Sequence, residues 1–121
     1  MDCPEGWETH PGSWHCFKLK NKVQHAEAIG SCKRENSYLV TIYDEQGNLY
    51  IQNLMQTGRL EAADSAWLGA MKGSNNDYSW DDGSQMTFRN FGNPTDTKHP
   101  DGQCLYIDTH TGLWYPDECD W

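Results

Sequence analysis

The stretch Cys104-Leu-Tyr-Ile-Asp-Thr-His-Thr-Gly-Leu-Trp-Tyr-Pro-Asp-Glu-Cys119 places two apolar runs between a pair of cysteines. Its first five residues are rich in β-branched and aromatic side chains, which predicts a strand. The next four residues, Thr109-His-Thr-Gly112, are turn formers. Leu113-Trp-Tyr115 then predicts a second strand that runs into Cys119. This part of the chain is therefore predicted to form two strands joined by a turn.

A long stretch of loop-forming residues, from Arg89 to Gln103, precedes these strands. It contains two Pro, two Gly, two Asn and two Asp, and Phe91 is its only aromatic residue. A loop of this length in a compact domain is usually functional or disordered. Earlier in the chain, Ser65-Ala-Trp-Leu-Gly-Ala-Met71 predicts an apolar strand, and Tyr78 and Trp80 alternate with polar residues between two turns.

Two segments nearer the N-terminus have helical patterns. Between residues 22 and 36, apolar side chains recur at helical spacing, which predicts an amphipathic helix. A second helix is predicted after Asp44, whose carboxylate is a suitable N-cap, with Gly58 as its end. Tyr38-Leu-Val-Thr-Ile42, between the helices, is a short β-rich run, and the Pro-Gly turn within residues 10–13 predicts an N-terminal hairpin.

Length and charge limit the possible functions. The chain has 121 residues, which suits one domain. Its net charge of −9 argues against nucleic-acid binding, because a phosphate backbone would be repelled. The sequence contains no run of about 18 apolar residues and no segment of the signal-peptide type, so neither a membrane span nor an export signal is predicted.

Five cysteines in a chain this short could be metal ligands, isolated thiols or a disulfide framework. No two of them form a CxxC pair, which weakens a zinc interpretation. Widely separated cysteines suit disulfides formed in an oxidising compartment, so we expect a secreted or extracellular protein with Met1 as an added initiator. The odd number leaves one cysteine to be explained. The five are Cys3, Cys16, Cys32, Cys104 and Cys119.

Taken together, these features resemble the C-type lectin-like domain over essentially all 121 positions. The resemblance implies a single α+β domain spanning residues 1–121, in which two helices pack against small antiparallel sheets and a long irregular loop carries the site. The motifs that carry it are the cysteine-flanked N-terminal hairpin, Ala28 with Cys32, Leu39-Val-Thr-Ile42, Trp67-Leu-Gly69, Trp80-Asp-Asp-Gly83, the Pro-containing loop, and Gly112-Leu-Trp114 between two cysteines.

The resemblance also implies disulfides joining Cys3 with Cys16 and Cys104 with Cys119. In the family, the helix cysteine pairs with a cysteine on one further strand. Cys32 has no such family partner in this sequence, which stops at Trp121. We therefore expect the parent chain to be longer.

The family is known for binding sugars through a protein-held calcium ion, which needs about six to eight oxygen ligands. Three family positions usually supply them, and this sequence departs from all three. A Glu-Pro-Asn or Gln-Pro-Asp triplet with a cis proline corresponds here to Asn93-Pro94-Thr95. The acidic residue two places before the penultimate cysteine corresponds to Gly102, and the Asn-Asp pair after Trp114 corresponds to Tyr115-Pro116.

Two interpretations of this departure stay open. In the first, shifted side chains rebuild an oxygen cage, with Asp108 as a further candidate, and an exposed Tyr115 stacks on the sugar. In the second, the ion site is lost, and the same loop face binds a protein ligand, or a sugar by direct contacts. The candidate calcium ligands are Asn93, Asp96, Asp101, Asp117 and Glu118, and the candidate carbohydrate contacts are Asn93, Thr95, Asp96, Asp101, Tyr115 and Asp117.

Other conspicuous side chains have simpler interpretations. The family pattern places Trp67, Trp80 and Trp114 in the core. His99 and His110 lack close metal-ligand spacing and are expected to be solvated rather than to bind zinc. No catalytic motif is present, so the prediction is a binding module and not an enzyme. Its expected partner is a glycan or glycoprotein, with oligomerisation as a possible source of avidity.

Overall fold

The computed structural model describes residues 7–9, 16–17, 25–57 and 65–119. These ranges contain two helices, a two-stranded sheet and a four-stranded sheet, which confirms the α+β prediction. No helix in them is both long and apolar enough to cross a membrane. The elements are β1 (Glu8–Thr9), β2 (Cys16–Phe17), α1 (His25–Arg34), α2 (Glu45–Thr57), β3 (Ser65–Lys72), β4 (Tyr78–Trp80), β5 (Cys104–Asp108) and β6 (Trp114–Asp117), with a 3-10 turn at Pro94–Asp96.

Local chemistry explains where the helices begin and end. The N-cap prediction for α2 is confirmed, since Asp44 Oδ1 accepts a hydrogen bond from the Gly47 amide at 2.7 Å. Helix α1 ends because Asn36 adopts a left-handed conformation, with φ of 56°. The Ser37 amide then returns to the Cys32 carbonyl at 3.0 Å, which satisfies an orphan carbonyl of the last turn. The predicted end of α2 at Gly58 lies outside the described residues.

The main sheet has the strand order β4-β3-β5-β6 and is antiparallel throughout. The predicted strand pair at the end of the chain is confirmed as β5 and β6, with Ile107 opposite Trp114 and Cys104 opposite Asp117. Gly112 makes the turn between them with φ of 76°, a conformation that favours glycine. The Cys104–Cys119 disulfide is also confirmed, and it closes this unit at its open end.

The N-terminal hairpin is described only in part. Strands β1 and β2 pair antiparallel, with Glu8 opposite Phe17 and Thr9 opposite Cys16. The connecting turn and Cys3 lie in ranges that the structure does not describe, so the Cys3–Cys16 bridge stays a prediction.

The segment from Tyr38 to Ile42, expected as a β-rich run, is not a strand. It approaches β3 closely at Gly69, where the Gly69 amide donates to the Val40 carbonyl at 2.7 Å. A Cβ at position 69 would overlap the Leu39 carbonyl, so this close approach requires glycine. Residues with β propensity therefore serve here as a packed connection, and Ile42 enters the core at 1% exposure.

The core lies between the helices and the main sheet and is centred on Trp114. This ring is fully buried and makes edge contacts with Trp80, Phe88 and Phe91 at centroid distances of 5.6 to 5.8 Å. Trp80 is buried as expected, whereas Trp67 is half-buried and packs edge-on against His25. The buried apolar core comprises Ile42, Ile51, Leu68, Ala70, Trp80, Met86, Leu105, Ile107 and Trp114.

His25, the first residue of α1, should make folding sensitive to acid. It is 1% exposed, and its Nε2 donates to the Leu68 carbonyl at 3.2 Å. Burial lowers the pKa of His25, although the Leu68 carbonyl and the charge of Asp81 partly oppose that effect. The unfolded chain therefore takes up this proton at a higher pH than the folded one, and stability falls as pH drops below about 6.5, where a free imidazole titrates.

The expected slope from this one proton is at most about 1.4 kcal/mol per pH unit. Urea unfolding at intervals between pH 7.5 and 5.5 measures it. His25→Gln keeps a donor for the Leu68 carbonyl and removes the titration, so its profile should be flatter than that of the wild type. Two parallel profiles would contradict the assignment.

Candidate functional site

The long loop, residues 89–103, is hydrogen-bonded to β6 near the start of the loop. The Trp114 amide donates to the Asn90 carbonyl, and the Gly92 amide donates to the Trp114 carbonyl, both at 2.9 Å. Phe91 forms a bridge with Trp114 between these two bonds. The remaining loop residues thus start from a rigid base beside the edge of the main sheet.

Tyr115 lies under this loop and not on its surface. The expectation of an exposed ring is wrong, because Tyr115 is only 6% exposed. Its ring packs against Gly92, where any Cβ would overlap it, and lies 5.6 Å from the ring of Tyr106. The absence of a side chain at Gly92 therefore lets the loop cover Tyr115, which leaves little of the ring for stacking on a sugar.

The Asn93-Pro94-Thr95 segment forms a closed turn. Asn93 Oδ1 accepts hydrogen bonds from the Thr95 amide and from Thr95 Oγ1, each at 3.0 Å. The described chain contains no cis peptide bond, so the Asn93–Pro94 bond is trans, unlike the family triplet. The amide oxygen expected as a calcium ligand is consequently engaged within its own turn, while Asp96 beside it is exposed.

Asp117 is buried at 6% exposure and holds the far end of the loop. Its Oδ1 accepts from His99 Nδ1 at 2.8 Å and from the Glu118 amide at 2.8 Å. His99 Nε2 also lies 3.6 Å from the Glu118 carboxylate. His99 is therefore a partner of two candidate ligands and not the plain solvated side chain that was expected.

Gly102 is buried against the backbone of Asp117. A Cβ at this position would overlap the Asp117 carbonyl group, so the loop can approach β6 only because no side chain is present. The Gly102 carbonyl accepts from the Tyr78 hydroxyl at 2.9 Å. Burial, together with the charge of Asp101, raises the pKa of Tyr78, which keeps this hydroxyl a donor.

A groove of about 270 Å³ lies between the β3–β4 turn and the long loop; we call it the Tyr78–Phe91 groove. The two rings that name it lie 5.7 Å apart, and Phe91 is 37% exposed. Its lining residues are Lys72, Asn76, Asp77, Tyr78, Arg89, Phe91, Gly92, Pro100 and Pro116.

Charged side chains line one rim of the groove. Arg89 and Asp77 form a two-point ion pair, with nitrogen to oxygen distances of 2.8 and 3.1 Å. The hydrogen bond from Arg89 lowers the pKa of Asp77, so the pair stays ionised at neutral pH. Lys72 Nζ lies 5.5 Å from the centre of the Tyr78 ring, a cation–π arrangement.

Comparison with known proteins identifies the family. The family model described as "Lectin C-type domain" matches residues 21–121. The chain belongs to the C-type lectin family. It is 27% identical to mouse (Mus musculus) "C-type mannose receptor 2" over 97% of its own length and spans 8% of the length of that relative.

Solved structures share the fold of this domain. This C-type lectin domain superposes on human lithostathine with a TM-score of 0.83 at 20% identity, covering 98% of this chain and 84% of that one. It superposes on a protein titled "calcium-independent type II antifreeze protein" with a TM-score of 0.79 at 22% identity, covering 99% and 88%. At this level of identity the superpositions establish the fold alone.

The residues of this C-type lectin domain do not fit a calcium ion in the usual place of the family. Among the described residues, the one group of three histidine, cysteine or acidic side chains within 4.8 Å is His25, Cys104 and Cys119, and its two cysteines form the disulfide. The predicted acidic ligands do not converge in such a group. Asp96 and Asp101 are exposed, Asp117 is buried on His99, and Asp108 caps the β5–β6 turn through the amide of His110 at 2.8 Å.

The groove was not predicted from the sequence of this C-type lectin domain. The two rings of the groove belong to separate segments of the chain, and the sequence marks Phe91 only as the single aromatic residue of the loop. The one available signal was the opposite charge of Asp77 and Arg89 on either side of β4. Sequence spacing does not show that these two side chains meet, because their contact depends on the path of the loop.

Proposed function

We propose that this C-type lectin domain recognises an extracellular carbohydrate by direct contacts, without a calcium ion in the usual place of the family. The observation that carries this proposal is that the residues at the usual ligand positions either form hydrogen bonds within the protein or have no side chain. Asp117 is bonded to His99, Asn93 is bonded to Thr95, and Gly102 has no side chain. Calcium affinity depends on several converging charged oxygens, and these positions do not supply them.

One relative lends support, since the mouse relative is named a mannose receptor. A loop carried on a rigid scaffold suits recognition, and a secreted or cell-surface location suits the Cys104–Cys119 disulfide. We therefore assign binding and not catalysis to this domain.

The loop residues divide between contact and support. Thr95, Asp96 and Asp101 are exposed, and Asn93 lies among them, so we place the direct sugar contacts there. Tyr115 and Asp117 are buried beneath and act as supports that fix the loop. A single shallow site of this kind binds weakly, and clustering of several domains would supply avidity.

A glycan array tests the proposal when the oxidised protein is applied in millimolar calcium and again in EDTA. We expect the same glycans to bind with equal intensity in both buffers, because no ligand contact passes through an ion. Asp96→Asn, which keeps the size of an exposed side chain and removes its charge, is expected to weaken that signal. Binding that disappears in EDTA would show that calcium is needed after all.

A protein ligand is the second candidate. It is favoured by three large side chains that are exposed in the first half of the chain, namely Tyr38 at 60%, Leu49 at 53% and Tyr43 at 43%. Aromatic side chains are enriched at protein interfaces. An array on which no glycan binds in either buffer would transfer the assignment to this candidate.

A further inference from the structure

We propose that the Tyr78–Phe91 groove binds an acidic pyranose, a sugar ring that carries a carboxylate. The inference rests on the proposed calcium-independent recognition of carbohydrate and adds to it a second contact surface with a ligand class of its own. The groove is distinct from the Asn93 to Asp96 turn, although Gly92 and Pro100 connect it to the same loop.

The floor of the groove suits the apolar face of a sugar ring. Phe91 is 37% exposed and its ring lies tilted by 38° against that of Tyr78, so two aromatic rings in contact line the groove. Pro100 and Pro116 flank it. Both rings are held in place, since Tyr78 donates to the Gly102 carbonyl and Phe91 contacts the buried Trp114. A preformed surface avoids the entropy cost of ordering its side chains when a ligand binds.

Lys72 is the charge of the groove that favours an anion. Among the residues that line the groove, Lys72 and Arg89 are positive and Asp77 is negative, whereas the chain as a whole carries −9. Asp101 lies outside this lining, although its charge acts on Tyr78. Arg89 is neutralised by its ion pair with Asp77, whereas Lys72 has no ion pair among the described residues. A carboxylate placed over the floor would meet the Lys72 ammonium, and Asn76 and Asp77 offer hydrogen-bonding groups to hydroxyls nearby.

Size and strand geometry distinguish a sugar from a peptide. A volume of about 270 Å³ falls just below the roughly 300 to 1,000 Å³ of drug-sized sites, so the groove accommodates one ring with its substituents. The neighbouring edge strand, β4, has three residues, Tyr78 to Trp80. An extended peptide adding to it would gain few ladder hydrogen bonds, so strand addition contributes little.

Backbone amide NMR spectra of the oxidised domain in EDTA test the inference with two matched probes, methyl β-D-glucuronide and methyl β-D-glucoside. They differ only at C6, which is a carboxylate in the glucuronide and a hydroxymethyl group in the glucoside. We expect the glucuronide to shift the signals of Lys72, Tyr78 and Phe91 and to bind about fivefold more tightly than the glucoside, as befits one partly exposed charge pair. Added salt should reduce that preference.

Lys72→Gln should remove the preference for the glucuronide, whereas Lys72→Arg should retain it. Lys98→Gln is the matched control, because it removes one exposed positive charge from the long loop outside the groove. Well-dispersed spectra establish that each variant is folded. Equal affinity for the two probes, shifts confined to other residues, or equal effects of the two glutamine variants would each overturn the inference.

The outcomes separate this inference from the proposed function. Calcium-independent glycan binding on the array without glucuronide shifts in the groove would overturn the groove assignment and leave the function standing. Groove shifts produced by an acidic peptide and not by the glucuronide would overturn the sugar class. Failure of every sugar to bind in EDTA would remove the proposed function and this inference together.

Discussion

Replacing Trp114 by alanine is expected to lower the free energy of unfolding by about 3 to 5 kcal/mol, the range for large aromatic side chains removed from a core. The ring is 0% exposed and contacts three other aromatic rings, so its loss leaves a cavity at the centre of the core. The backbone of Trp114 also anchors the loop through Asn90 and Gly92. Urea denaturation followed by circular dichroism measures the change.

Trp114→Phe is the matched variant for this experiment. It keeps most of the ring but removes the indole donor that reaches Asn48 Oδ1 at 2.7 Å. Because Asn48 is buried at 4% exposure, its oxygen would lose that partner, at a cost of about 1 to 3 kcal/mol. Alanine should therefore be clearly worse than phenylalanine. A loss below about 1 kcal/mol for alanine would mean that Trp114 is not the centre of the core.

Removing the Cys104–Cys119 disulfide by a double alanine substitution is expected to cost about 3 kcal/mol. The bridge closes a loop with a sequence separation of 15, and a loop of that size loses considerable freedom in the unfolded chain. The value is measured as the difference in unfolding free energy between the two proteins under oxidising conditions.

Ser79→Ala, an exposed position on β4, serves as the reference for that measurement and should stay within about 0.5 kcal/mol of the wild type. A double alanine variant as stable as this reference would show that the β5–β6 unit is held by its ladder and core contacts without the bridge.

The regular elements were predictable because their signals are local. The Asp44 cap, the apolar run of β3 and the turn at Gly112 each depend on a few neighbouring residues, and all three are confirmed. The segment from Tyr38 to Ile42 does not form a strand, although its residues favour one. β propensity describes how well a side chain fits a pleated surface, and it does not supply a neighbouring strand to pair with. The segment is held instead by the hydrogen bond from the Gly69 amide to the Val40 carbonyl and by the packing of Val40 and Ile42 in the core.

The position of the long loop could be predicted from the sequence, but the burial of Tyr115 and Asp117 beneath it could not. Its composition marked residues 89–103 correctly as irregular, apart from one 3-10 turn. The burial of Tyr115, however, depends on Gly92, and the burial of Asp117 depends on His99, each pair separated by about 20 residues. Such contacts arise from how the loop folds back on β6, and neither residue type nor spacing encodes that path.

The packing of Gly102 against Asp117 also limits which substitutions at position 102 can be accepted during evolution. A glycine codon becomes one for aspartate or glutamate through a single nucleotide substitution, so one mutation would restore the family's acidic residue at position 102. Any side chain at position 102, however, meets the backbone of Asp117 before its carboxylate can be presented. The replacement would become tolerable only after the loop or β6 had moved. If the domain descends from a calcium-binding ancestor, the backbone of Asp117 would therefore oppose the reversion of Gly102 to an acidic residue.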